Sequence, residues 1–240
     1  MSSFANYLGR QIVIKPKSTN FGLGITIFTG EFTEEDYRKA FEIAFDYDRT
    51  ALLEEFMTGK EYRFLVMGDE VVGILHRVPA NVIGDGVHTV AQLIHEKNKD
   101  PLRGKGYKTP LERIQLGDAE KLFLKGQGKT AEDIPTNGDI VYLRQNSNIS
   151  TGGDSIDYTD DIPDSYKQLA IRSAKGAVGA TFCGVDMMID AYKDEANDHN
   201  YSIIEINFNP VIHIHCYQYK GKNRKADDKI LDLLFSKDRE

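Results

Sequence analysis

The chain has little cysteine and no long apolar run. Cys183 and Cys216 are the two cysteines in 240 residues, and their spacing fits no metal-ligand pattern. Both lie in apolar, strand-like text and read as reduced, packed thiols of a cytosolic protein. No stretch approaches the roughly 18 consecutive apolar residues of a membrane-spanning helix. The opening MSSFANYLGR lacks the apolar centre of a secretory signal. Together these absences predict a cytoplasmic protein with no membrane segment. Positive charge is also short: the formal net charge is -7, which argues against general nucleic-acid binding. There is no internal repeat and no low-complexity tract.

What is present suits a globular chain. The composition is 40% hydrophobic and 28% charged, enough for a real core in one large domain or two small ones. Gln11 to Lys15 and Ile25 to Phe28 read as strands of a hairpin around a Gly-rich turn. Thr33 is an N-cap candidate, followed by acids and then by Tyr37, Ala40, Phe41, Ala44 and Phe45 at helical spacing. Ala51 to Phe56, Tyr62 to Met67 and Val71 to Arg77 read as further strands, the last two joined at Gly68-Asp69. Between Pro79 and Gly138 the text turns helical, with helices predicted over 90–98, 109–114 and 118–127. The α/β pattern then resumes. It gives a strand over 139–144, a helix over 164–180, an antiparallel strand pair over 183–189 and 201–208, and a last helix over 226–235.

Four stretches could carry chemistry. In SIIEINFNP, residues 202–210, side chains alternate between faces. Glu205, Asn207 and Asn209 then share one face, while Ile204, Ile206 and Phe208 share an apolar face facing the core. Pairing with GVDMMID would set Asp186 opposite Glu205 and Asn207. That is a set of hard oxygen donors suited to Mg²⁺, or else a solvated strand face. VIKPKSTNFGLG ends a strand in lysines and continues into a flexible loop, with Lys15 as a point charge for a polyphosphate; a plain hairpin is the alternative. In LEEFMTGKEYR, Glu54 could accept from an exocyclic amine, the Met57 backbone could read a ring edge, and Glu61 could bind sugar hydroxyls; a charged turn is the default. YLRQNSNISTGGD carries Arg144 into a loop of amides, hydroxyls and Gly-Gly, suited to a carboxylate or phosphate, or simply a surface loop. His76, His88, His95 and His199 read as ordinary surface or core residues. His213 and His215 share a predicted strand face, but no third ligand for zinc is evident.

The order of these stretches resembles the ATP-grasp superfamily of carboxylate–amine ligases. Closer still is the C-terminal ATP-grasp half of the bifunctional glutathione-synthesising ligases. VIKPKSTNFGLGI, LEEFMTGKEYRFLV, RVPANVIGDGVHTV, DPLRG, YLRQNSNISTGGDSID, CGVDMMI and IEINFNP carry the resemblance over nearly the whole chain. Cyanophycin synthetases share text like RVPANVIGDG and STGGDSID. The resemblance implies an α+β ATP-grasp fold whose two α/β lobes, with mostly antiparallel sheets, grip ATP between them. The lobes would span 1–78 and 79–240, with a helical insertion over about 79–138. The family's unit normally begins earlier, with a first nucleotide-contacting lysine, so the chain reads as N-terminally shortened.

By the same resemblance the chain joins γ-glutamylcysteine and glycine into glutathione through an acylphosphate. ATP is consumed, with Mg²⁺, or Mn²⁺ in its place. Lys15, Lys17, Ser18, Asn20, Gly22 and Gly24 would lie at the phosphates, Glu54, Glu55 and Met57 at the adenine, and Glu61 at the ribose. Asp186, Glu205 and Asn207 would bind the metal, and Arg144 would act with Lys15 on the transferring phosphoryl group. Asn146, Asn148, Ser150, Thr151, Gly152 and Gly153 would shape the acceptor side. A γ-glutamylcysteine-forming domain is the implied partner, and a homodimer is compatible with the pattern. A cyanophycin-like ligase and a nucleotide-binding fragment inactive without a missing N-terminal partner are the alternatives.

Overall fold

The computed structural model describes residues 11–19, 23–106, 108–144, 147–177 and 179–235. The chain divides into two compact units, Met1–Thr58 and Gly59–Glu240. In the first, β1 (Ile12–Pro16) and β2 (Thr26–Phe28) form the expected antiparallel hairpin. Helix α1 (Glu34–Phe45) leads to β3 (Ala51–Glu55), which pairs on the other side of β1. Thr33 caps α1: its amide donates to Asp36 Oδ2 at 2.8 Å, and the Asp36 amide donates back to Thr33 Oγ1 at 3.3 Å. Tyr37, Ala40 and Ala44, spaced along one helical face, pack on Ile12, Ile14 and Phe28.

In the second unit β4 (Lys60–Met67) and β5 (Glu70–Val78) form a hairpin. The sequence reading placed this hairpin in the first lobe, ending at Val78. Instead the unit boundary falls at Thr58/Gly59, because β4 and β5 hydrogen-bond into the sheet of the second unit. The segment that follows contains β6 (Asn81–Ile83), α2 (Val90–Lys97), β7 (Arg103–Gly104), β8 (Leu111–Glu112), α3 (Asp118–Gly126) and β9 (Ile140–Tyr142). A helix was expected over 109–114. Thr109 precedes Pro110, which disfavours the helical region for Thr109 and supplies no N–H. The chain there forms β8, parallel to β7. Strands β6 and β9 pair antiparallel, and α2 and α3 contribute to their core of Ala80, Val82, Val90, Ile94, Leu124 and Val141.

The chain continues through β10 (Asp154–Asp157), α4 (Asp164–Gly176), β11 (Phe182–Ile189) and β12 (Tyr201–Asn207) to α5 (His213–Cys216) and α6 (Ala226–Phe235). The main sheet is wholly antiparallel, in the order β10-β5-β4-β11-β12. Tyr166, Ala170, Ile171 and Ala174 of α4 pack on Phe64, Val66, Ile74, Val185 and Met187. Helix α4 stops at Gly176 rather than at residue 180: Ala177 is already extended, and Gly179 has a φ of 82°. His213 and His215 lie on the short helix α5, not on a strand. Both cysteines are free and buried. Among the described residues no helix is long and apolar enough to cross a membrane.

Candidate functional site

Alternation along β4 sends Tyr62, Phe64 and Val66 to the core and leaves Glu61 and Arg63 on the opposite face. The same alternation on β11 buries Val185 and Met187 in that core and turns Asp186 to the Arg63 side. Asp186 stands in register with Arg63 on β4 and with Glu205 on β12. The polar residues of SIIEINFNP therefore meet a second set of polar residues across the sheet.

Arg63 grips Asp186 with two bonds, Nε to Oδ1 at 2.6 Å and Nη2 to Oδ2 at 2.5 Å. Arg77 of β5 reaches Asp186 Oδ2 at 3.3 Å and also pairs with Glu61. Asn207 Nδ2 donates to Glu205 Oε1 at 2.8 Å and lies 3.4 Å from Asp186 Oδ2. The Asp186 side chain is 2% exposed and that of Arg63 is 11% exposed. Burial pushes the Asp186 carboxyl up, but the Arg63 hydrogen bonds and the charges of Arg77 and Arg63 outweigh it and hold the pKa below the ordinary range.

The donor set Asp186, Glu205 and Asn207 fits a hard divalent cation in its chemistry: two carboxylates and an amide oxygen on adjacent strands. Turning the Asn207 amide over would present its oxygen where its nitrogen now donates. Among the described residues no group of three His, Cys, Asp or Glu gathers as a metal site, so any cation here depends on the amide, phosphate or water for its remaining positions.

One expectation for β12 fails in part. Its pairing slips between Asp186 and Met187, so that Met187 faces Ile203 and Ile204 has no partner. This bulge breaks the alternation. Ile204 and Phe208 are 40% and 61% exposed, and Ile206 alone of the three expected core residues packs on the main core.

In the first unit, Lys15 Nζ and Glu54 Oε2 are each other's partner at 2.5 Å, although they were expected at opposite ends of a nucleotide. The Lys17 amide donates to the Thr50 carbonyl at 2.9 Å. Ser18 hydrogen-bonds Asp48, whose carboxyl is held below its usual range first by the Thr50 amide. Gly24 has a φ of 75°. Glu55 stands opposite Ile12, and Met57 is half-buried. Glu61 belongs to the second unit. Asn20, Gly22 and Asn146 lie outside the described residues.

Arg144 does not stand free. Its Nε and Nη2 bind Glu120 Oε1 of α3 at 2.6 and 2.5 Å. Asn148 turns the following loop through its carbonyl, which accepts from Thr151 Oγ1 at 2.9 Å and from the Gly153 amide at 3.3 Å. Ser150 and Thr151 form one 3₁₀ turn, closed by Gly152. The sequence reading missed Arg63 and Arg77. Their signal was there: two arginines in strands that are apolar over most of their length.

No family model matches the chain. It is 66% identical over 233 residues to the glutathione biosynthesis bifunctional protein GshAB of Clostridium perfringens, covering 97% of this chain and 30% of that protein. A crystal structure of a bifunctional glutathione synthetase from Pasteurella multocida matches with a TM-score of 0.77 at 51% identity, covering 98% of this chain and 32% of that one. The D-alanine–D-alanine ligase of Bacillus anthracis matches with a TM-score of 0.51 at 13% identity, over 99% of this chain and 59% of that one, a likeness of fold alone. The chain has the ATP-grasp fold. Over nearly its whole length it is similar to the bifunctional glutathione biosynthesis proteins, and it spans about 30% of the length of the curated relatives it matches.

Proposed function

We propose that the chain is an ATP-dependent carboxylate–amine ligase that joins γ-glutamylcysteine to glycine. The observation that carries this reading is the polar face of the main sheet. There Asp186, Glu205 and Asn207 converge beside Arg63 and Arg77, in a chain 66% identical to a glutathione biosynthesis protein.

A carboxylate is a poor acyl donor, because its carbon is electron-rich and its oxygen leaves badly. Attack of the carboxylate oxygen on the γ-phosphorus of ATP expels ADP and forms an acylphosphate. The glycine amine then attacks the acyl carbon, loses a proton, and phosphate departs. Such transfers depend mainly on positioning and on charge stabilisation. Lys15 and Lys17 hold phosphate oxygens. Glu54 and the Met57 backbone hold the adenine, with Glu55 beside them, and Glu61 holds the ribose. Arg144 neutralises the transferring phosphoryl group, and Arg63 and Arg77 add positive charge at the sheet. The loop of Asn148, Ser150, Thr151, Gly152 and Gly153 shapes the acceptor side. Asp186, Glu205 and Asn207 would hold Mg²⁺, which when bound supplies charge neutralisation for the phosphates. A γ-glutamylcysteine-forming domain would be the natural neighbour, and the cytoplasm, with its ATP and reduced thiols, the natural compartment.

The test is ADP release by the purified chain with Mg-ATP and γ-glutamylcysteine, with and without glycine, and with Glu205→Ala as control. Glycine-dependent release, lost in the variant, is the expected result. Unchanged release in Glu205→Ala would remove the metal assignment. Bound nucleotide without release would leave a nucleotide-binding segment rather than an enzyme.

A further inference from the structure

A second buried charge cluster lies where the loop 147–153 meets the segment between β5 and β9. Asp154, 4% exposed, opens β10 just after that loop. Its Oδ2 accepts from Lys97 Nζ of α2 at 2.7 Å and from Asn81 Nδ2 at 3.0 Å. Its Oδ1 accepts from Arg103 Nη2. The Arg103 side chain is fully buried. Its other terminal nitrogen, Nη1, donates to the Gly152 carbonyl at 3.0 Å and to the Glu112 carbonyl at 2.8 Å. The Tyr219 ring lies 5.0 Å from Lys97 Nζ and 5.4 Å from the Arg103 guanidinium carbon. One carboxylate thus serves two buried cations, and an aromatic face takes up part of the excess positive charge.

A buried ion cluster is weak evidence for stability, since apolar packing often does as well. What this one produces is a fixed carbonyl. Gly152 has a φ of 93°, and a Cβ there would stand 2.8 Å from Ile114 Cα. A Cβ on Gly153 would stand 2.8 Å from the Val78 carbonyl oxygen. Ile114 is itself clamped: its amide donates to Asn98 Oδ1 at 2.9 Å, and Asn98 Nδ2 donates to its carbonyl at 2.8 Å. The Gly-Gly turn is therefore pressed between Ile114 and the end of β5, and Arg103 holds its carbonyl from below. A planar guanidinium can bridge a carboxylate and two carbonyls in one fixed fork, which a lysine ammonium cannot do.

We infer that Arg103 is a positioning residue for the ligase reaction. It touches no substrate. By holding the Gly152 carbonyl against the Asp154 anchor it fixes the loop 147–153 on the acceptor side. The segment between β5 and β9 thereby sets the fit for γ-glutamylcysteine, not for ATP. The inference rests on the function proposed above.

Arg103→Lys keeps a charge for Asp154 but gives up the bridge to Gly152. Lys97→Met removes a charge and leaves that bridge in place. In the full chain, Arg103→Lys is expected to raise the KM for γ-glutamylcysteine about tenfold or more while the KM for ATP stays within about twofold. Lys97→Met is expected to move neither KM by more than about twofold, even where it lowers the melting temperature as much. Should Arg103→Lys not fold, the triple variant Lys97→Met/Arg103→Met/Asp154→Leu removes all three buried charges and is expected to show the same split. Parallel changes in both KM values, or none, would overturn the inference. Amide exchange at Thr151 to Gly153 reads the positioning without turnover: faster exchange in Arg103→Lys than in Lys97→Met supports it, and equal protection overturns it. An inactive wild type with a loop freed by Arg103→Lys would sink the ligase reading alone.

Discussion

The two faces of the five-stranded sheet are built from the same strands by opposite means. On one face β4 and β11 contribute Tyr62, Phe64, Val185 and Met187 to close-packed apolar contact with α4. On the other they contribute Arg63 and Asp186, held by a two-pronged ion pair, with Glu61, Arg77, Glu205 and Asn207 around it. The apolar face follows the hydrophobic effect, and each buried group adds to stability. The polar face carries charges whose desolvation offsets most of their attraction. A fold in need of stability alone would have filled it with aliphatic residues, so its chemistry points to use.

The sharpest way to break this comparison is to unbalance the polar face. Asp186→Leu leaves Arg63 and Arg77 buried without their shared acceptor. It should cost about 3–5 kcal/mol in chemical denaturation. Arg63→Met/Asp186→Leu should recover most of that loss yet restore no turnover. Recovery of turnover in the double variant would mean that the face is structural after all.

A smaller effect separates the faces by pH. His76 sits beside Tyr62 and Tyr158 near the apolar face, and His215 is buried above Gly73 on the other. Burial depresses both, from an ordinary 6.5 to about 4 for His76 and about 3 for His215. In the unfolded chain these rings take up protons near pH 6.5, so below that value the unfolded state binds more protons and stability falls with falling pH. The loss should approach about 1.4 kcal/mol per histidine per pH unit, down to the folded values. Urea titrations of the wild type, His76→Phe and His215→Phe between pH 7 and 5 should each show part of that slope removed. Equal slopes in all three would refute it. The depressed carboxyls of Asp186 and Asp157 add their own loss only below the usual carboxylate range.

The smallest effect lies at the sheet edge. Ile204→Thr, on the bulge and half in solvent, should change stability by no more than about 0.5 kcal/mol. Thermal melting would check it, and a loss several times larger would mean that Ile204 packs as its spacing first suggested.

These contrasts also mark what could be read from the sequence. Strand alternation alone sets Asp186 opposite Glu205, because period two is a local property. It failed at Ile204, where the pairing of β12 slips against β11 and only the partner strand records the slip. The β4–β5 hairpin is legible as a hairpin, but its place in the main sheet depends on pairing with β10 and β11, strands roughly 80 and 120 residues further on. Arg144 was visible as a cation leaving a strand; its partner Glu120, on a helix of another segment, was not. Arg103 sat in DPLRG with nothing local to show that it reaches Gly152.

The grip of Arg63 on Asp186 has one more consequence. Arg63 already neutralises Asp186, so a divalent cation held there as proposed would arrive by exchange and not by simple addition. Capture of the ion would then have to release the guanidinium of Arg63, freeing a positive charge for an anion that came with the metal. Metal and phosphate would then be taken up as one event. A chelator would silence such a chain without unfolding it.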